Sequence, residues 1–169
     1  MGGLPRFRGP GAGAVLPHSL FRFLLDHEID KANRLRYCVS LVCLRPDVVT
    51  PESDPGLARA IAQMALRQLR STDVATTLPR DVIALLLVDT DPRVLDKVLD
   101  RVTNARVLEG RRFVRGQQVV SVSAGASCYP LSVSDRTGLL REATQLMYRA
   151  RRDGGDRLIL PQLSAASAN

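Results

Sequence analysis

Apolar positions return along this chain with two different periods, and the changes of period mark its elements. From Leu20 the apolar residues recur at Leu24, Ile29, Ala32 and Leu35, one face of a helix, with Ser19 placed to cap it. The run 38–44 (CVSLVCL) is short, continuous and β-branched, which predicts a buried strand. A polar, proline-bearing loop follows at 45–54 (RPDVVTPESD). Asp54 then reads as a cap and Pro55 as the first residue of a second helix, with Leu57, Ile61, Met64, Ala65 and Leu69 as its stripe.

The run 82–88 (VIALLLV) predicts a second strand, and Asp91-Pro92 repeats the cap-plus-proline start. Val94, Leu95, Val98, Leu99 and Val102 line the third helix. The basic, glycine-bearing stretch 109–118 reads as a hairpin. The next stretch, 119–128 (VVSVSAGASC), alternates apolar with small polar residues, as a strand with one wet face does. Ser134 or Asp135 opens a fourth helix through Leu139, Leu140, Ala143, Met147 and Ala150. Gly154-Gly155 ends it, and 157–160 (RLIL) closes the chain as a short strand. Helices between strands in this order predict an α+β layer fold. The expected single domain spans 18–161, between a flexible leader (1–17) and a disordered tail (162–169).

Composition changes this picture in three ways. Tryptophan is absent and aromatics make up 4% of the 169 residues, so the core must be aliphatic. The net charge of +7 favours anionic partners, although arginine-rich codon usage explains the same charge. The three cysteines lack metal spacing; Cys43 and Cys128 sit in apolar runs as small core residues, and a reducing cytoplasm is the expected location. No apolar run is long enough to cross a bilayer. His18 and His27 stand alone, without a metal partner at ligand spacing. The basic stretch 110–116 (GRRFVRG) carries one aromatic among three arginines, but no nucleic-acid motif accompanies it, so nucleic acid is not an expected partner.

One corner stands out. The second helix ends in Arg70-Ser71-Thr72-Asp73. Taken alone, an Arg and an Asp three apart at a helix end form a surface ion pair worth under ~1 kcal/mol.

Two stretches carry a likeness that changes this reading. VSVSAGASCYP followed by LLREATQLMYRARRDGGDRLIL resembles the C-terminal half of a GGDEF domain, the diguanylate cyclase family, and LDHEIDKANRLRYCVSLVCL resembles that family's opening helix and first strand. The resemblance spans roughly residues 19 to 160. It implies a nucleotidyl-cyclase-like fold, a central and mostly antiparallel sheet flanked by helices. It also implies that the signature falls on Pro79-Arg80-Asp81-Val82-Ile83, where only Asp81 keeps its place. Active members need two glycines there for close backbone approach to the nucleotide; Pro79 and Arg80 remove that room. Val82 replaces an acidic position, and Arg45 stands where a metal aspartate belongs, with Asp47 two residues on as a leftover ligand or a turn residue. The nucleotide loop is shortened to 48–53 (VVTPES). These departures imply no cyclase activity and no metal.

The resemblance gives the corner a second meaning. Many members carry R-x-x-D five residues before the signature, as a product-binding inhibitory site for cyclic di-GMP. Here Asp73 is followed by 74–78 and then Pro79, the same spacing, and the family's auxiliary arginine falls on Arg101. Arg151 takes the place of a phosphate-contacting lysine, although with Arg149 and Arg152 beside it a solvated helix end explains it equally well. The implied function is a cyclic di-GMP receptor that has lost catalysis, with Arg70, Asp73 and Arg101 as its ligand residues. Such a receptor signals to a protein partner or further domain, and can form ligand-linked dimers. Inactive receptors of this kind regulate processes such as exopolysaccharide export in bacteria. The rival readings are a scaffold domain in which R-x-x-D is a vestige, an unusual nucleotide enzyme, and a nucleic-acid binder.

Overall fold

The structure is a computed structural model that describes residues 13–48, 55–103, 113–114 and 117–163. Its elements are β1 (Val15–Leu16), α1 (His18–Leu35), β2 (Val39–Val48), α2 (Pro55–Leu66), β3 (Val74–Leu78), β4 (Val82–Val88), a 3-10 turn at Pro92–Val94, α3 (Leu95–Thr103), β5 (Phe113–Val114), β6 (Gln117–Tyr129), α4 (Arg136–Arg152) and β7 (Arg157–Ile159). The sheet runs β1-β3-β4-β2-β6-β5, and β7 adds to β6. The pairings β1·β3 and β6·β7 are parallel and the rest antiparallel. The α+β layer fold expected from the sequence is the one observed.

Alternation along β2 and β4 sends successive side chains to opposite faces, and both faces are covered. Val42, Leu44, Ile83, Leu85 and Leu87 meet α2 and α3. Leu41, Cys43, Ala84 and Leu86 meet Phe21, Leu25 and Ala32 of α1 and Leu139, Ala143 and Met147 of α4. This double coverage is why 38–44 and 82–88 read as continuous apolar runs. Burial raises the thiols of Cys43, to about 11, and Cys128, to about 12. Cys38 is half-buried, and burial raises it as well. Iodoacetamide at pH 8 is expected to label Cys38 alone in the native chain, and the other two only in urea. A mass spectrum of native protein carrying two or three adducts contradicts this.

Several expectations change. Helix α1 starts at His18 behind Pro17, whose carbonyl accepts from Phe21 N at 3.0 Å, so Ser19 lies inside the helix and caps nothing. Val15–Leu16, assigned from sequence to the leader, forms an edge strand. Strand β3 was not expected, because VATTL offers few large apolar residues. It forms as the first arm of a hairpin with β4. Asp91 and Asp135 do cap, accepting from Arg93 N at 2.8 Å and Gly138 N at 2.7 Å. Asp91 opens the 3-10 turn that leads into α3. Phe113–Val114 pair with Gln117–Gln118, as the expected hairpin requires. The Asp54 cap, most of the basic stretch 109–116, most of the leader and most of the tail lie outside the described residues.

The largest correction concerns β6. Its small polar face is dry: Ser123 and Ser127 are fully buried beneath α4, and Ser127 Oγ donates to Leu139 O at 2.7 Å. The small residues serve as a seat for a helix.

Candidate functional site

The corner at 67–73 is built from the backbone outward. Helix α2 tightens as it ends, with Gln68 N donating to Ala65 O at 2.9 Å and Leu69 N to Leu66 O at 3.3 Å. The buried Leu69 pins the turn to the core. Asp73 N then closes a turn onto Arg70 O at 3.0 Å. The Asp73 carboxylate finishes the corner: Oδ2 accepts from Arg70 N at 2.9 Å and Oδ1 from Val88 N at 3.1 Å. Strand β3 pairs with β4 only as far as Val74↔Leu86. The Val88 amide therefore has no strand partner on that side, and Asp73 supplies the missing acceptor.

This is a structural role that sequence reasoning missed; an aspartate between a helix end and a strand start was its only signal. Asp73 is 3% exposed. Burial raises its pKa above the usual carboxylate range, opposed by the two backbone donors and by the charges of Arg70 and Arg101. Each carboxylate oxygen has spent one acceptor position on the backbone and keeps another.

Arg70, Asp73 and Arg101 line one cleft of about 1070 Å³ between the end of α2, the end of β4 and α3. The structure thus brings together the three residues that the sequence singled out. Buried Leu95, Leu99 and Val102 fix α3 against the sheet and leave Arg101 on its exposed side. Arg70 is exposed too. Neither guanidinium forms an ion pair with a carboxylate among the described residues, and both lie within electrostatic reach of Asp73. Leu69, Leu87 and Val98 give the cleft an apolar floor, and Arg67 and Lys97 add two cations to its rim. Sequence reasoning missed these two, although Lys97 precedes Arg101 by four residues and so shares its helix face. Asp89 and Asp100 also reach the rim and moderate its charge.

Of the positions 79–83, Pro79-Arg80-Asp81 form the β3–β4 turn, and Val82 and Ile83 begin β4. Leu78 pairs with Val82 across Pro79-Arg80-Asp81. Arg80 and Asp81 hold φ of 63° and 59°, the left-handed region that favours glycine. The turn thus keeps a backbone suited to glycine while carrying side chains. Val82 points into the core at 3% exposure.

Arg45 lies within β2 opposite Ser123. Asp47 is also a strand residue, not the turn residue that was one of its two expected roles. Its carboxylate accepts from Ser121 Oγ at 2.8 Å and Ser123 Oγ at 3.0 Å, and from Asp156 N at 3.4 Å. Arg151 Nη1 lies 3.7 Å from it, which ties that arginine into the same cluster rather than leaving it a merely solvated helix end. Gly155, at φ 74°, sits so close that a Cβ there would lie 3.0 Å from Asp47 Oδ2. Among the described residues no group of three histidine, cysteine or acidic side chains is arranged to hold a metal ion, and no helix is long and apolar enough to cross a membrane.

Comparison with known proteins agrees with this architecture. The GGDEF diguanylate cyclase domain profile matches residues 56–157, more than half of the chain. No curated protein sequence matches. Among solved structures, the GGDEF domain of PA1120 (YfiN or TpbB) from Pseudomonas aeruginosa superposes with a TM-score of 0.73 at 24% identity, covering 88% of this chain and 98% of that one. An active GGEEF domain of a diguanylate cyclase from Vibrio cholerae gives 0.68 at 17% identity, covering 85% and 97%. The coiled coil and GGDEF domain of DgcB from Caulobacter crescentus, in complex with cyclic di-GMP, gives 0.62 at 13% identity, covering 86% and 81%. At these identities the structures speak for the fold, and the profile match for the lineage: the chain belongs to the GGDEF domain family.

Proposed function

We propose that this GGDEF domain is a cyclic di-GMP receptor without cyclase activity, and that it signals to a protein partner. The observation that carries the reading is the pair of exposed arginines, Arg70 and Arg101, that line one cleft with Asp73. A guanidinium hydrogen-bonds guanine O6 and N7 in a plane and also stacks on the base. The remaining acceptor positions of Asp73 suit the guanine N1–H and N2–H donors. The apolar floor suits the faces of the purines, and Arg67 and Lys97 suit the two phosphates.

The other half of the reading rests on the hairpin and on Asp47. Where cyclases carry glycines this chain has Pro79 and Arg80, and Val82 is turned inward. The residues at the metal position do not fit a divalent cation: Asp47 already accepts from two serines and a backbone amide, and Arg45 is a cation.

Titration calorimetry with cyclic di-GMP tests the receptor reading, and a silent titration removes it. Incubation with GTP and Mg²⁺ or Mn²⁺ is expected to yield no cyclic di-GMP by chromatography, even in Arg70→Ala, where product inhibition cannot mask turnover. Product formation would defeat the inactive half of the proposal. Because burial raises the Asp73 pKa from its ordinary value and the bound form needs its carboxylate ionised, affinity is expected to fall as pH drops through that raised pKa. Binding that stays flat as pH falls from about 7 through the ordinary carboxylate range contradicts this.

One observation favours a second reading, a scaffold domain without ligand. The hydrogen bonds from Asp73 to Arg70 N and Val88 N account for an aspartate at this corner on structural grounds alone.

A further inference from the structure

The face of the sheet opposite the cleft carries a second feature. Helices α1 and α4 lie side by side there, and a groove of about 400 Å³ runs between them. Thr137, Thr144 and Gln145 of α4 belong to its lining. Its floor is aliphatic, from Leu25 and Leu140, and its exposed lining is mostly apolar. Its walls are basic: Arg22 on α1, and Arg136 and Arg141 on α4. Among the described residues Asp26 is the one carboxylate lining the groove, and it is engaged by Arg136. Arg22 and Arg141, both exposed, have no acidic partner among the described residues.

We infer that this groove docks an acidic amphipathic helix of a partner protein, with aliphatic side chains seated on Leu25 and Leu140 and carboxylates meeting Arg22 and Arg141. Charge decides the occupant. An apolar seam between two helices suits the helix-in-groove mode of recognition, and two arginines without an acidic partner among the described residues select acidic flanks and disfavour basic ones. A second copy of this chain is a poor fit, because an isologous contact would set the same arginines against each other in a molecule of net charge +7. The inference goes beyond ligand binding and stands apart from it, since the groove shares no residue with the Arg70–Arg101 cleft.

The test is amide chemical-shift mapping on the ¹⁵N-labelled chain. The probe is a synthetic 18-residue helical peptide with leucines at i, i+3, i+4 and i+7 and glutamates on the flanks. The control has the same residues shuffled to break the stripe. Shifts concentrated on α1 and α4 are expected, with affinity reduced at least ~10-fold, about 1.4 kcal/mol, in the Arg22→Glu/Arg141→Glu double variant, whose circular dichroism stays native. Equal binding of the shuffled peptide, shifts at the Arg70–Arg101 cleft instead, no binding, or self-association through the groove would each overturn the inference. Loss of cyclic di-GMP binding in Arg70→Ala leaves this outcome unchanged, so the two readings fail separately.

Discussion

Replacing Gly125 by alanine is expected to lower stability by about 3 kcal/mol or more, a large share of the roughly 5–15 kcal/mol available to a domain of this size. A Cβ at this position would lie 2.1 Å from Met147 N, 2.4 Å from Ala143 O and 2.6 Å from Leu146 C. All three are backbone atoms of α4, so no side-chain rotation can relieve the clash, and the helix must lift off β6. Lifting it would open the packing of Leu139, Ala143 and Met147 on Leu41, Cys43 and Ala84. The urea midpoint of Gly125→Ala against the parent chain measures the effect. A shift worth under ~1 kcal/mol would show that α4 does not sit as close to the sheet as described.

Arg70→Ala is expected to weaken cyclic di-GMP binding about 10- to 100-fold, the worth of one bidentate contact to guanine at roughly 1–3 kcal/mol. Its stability should stay within ~0.5 kcal/mol of the parent, because the side chain is exposed and forms no ion pair with a described residue. Arg101→Ala should behave likewise. Asp73→Ala is a poorer probe. It would strip the acceptor from two backbone amides in a residue that is 3% exposed. Each orphaned donor costs about 1–3 kcal/mol, so lost binding and a loosened corner would arrive together. Calorimetry on Arg70→Ala with urea denaturation alongside separates the two effects. Unchanged affinity in both arginine variants would remove these residues from the ligand site.

Much of the layer arrangement was legible in the sequence because the central strands are buried on both sides and the helices carry clear stripes. The runs 38–44 and 82–88 could hardly be anything else. Strand β3 was hidden because a hairpin arm made of Val, Ala and Thr has no apolar run to announce it. Strand β6 was found, but its serines were read as wet; alternating small residues look the same under a close-packed helix as under solvent. Arg70, Asp73 and Arg101 came from the family resemblance and the spacing it implies, and they do share one cleft. That spacing could not reveal the backbone duty of Asp73, because its second partner, Val88, lies fifteen residues further on. Lys97 had a local signal in its place four residues before Arg101 on one helix, whereas the α1–α4 groove depends on tertiary juxtaposition and has none.

Strand β1 has a mechanical consequence. It joins the sheet through two register pairs, Val15↔Ala75 and Leu16↔Thr76, with Ala75 N bonded to Ala14 O at 3.0 Å and Thr76 Oγ1 to Leu16 O at 2.8 Å. Just ahead of it, Gly13 lies so near the corner that a Cβ there would stand 2.5 Å from Asp73 O. A zipper this short peels under little load, and a one-residue slip would turn both of its side chains to the wrong side. Tension applied at residue 13 would therefore bear first on β1 and on the adjoining turn at Asp73, ahead of the central strands.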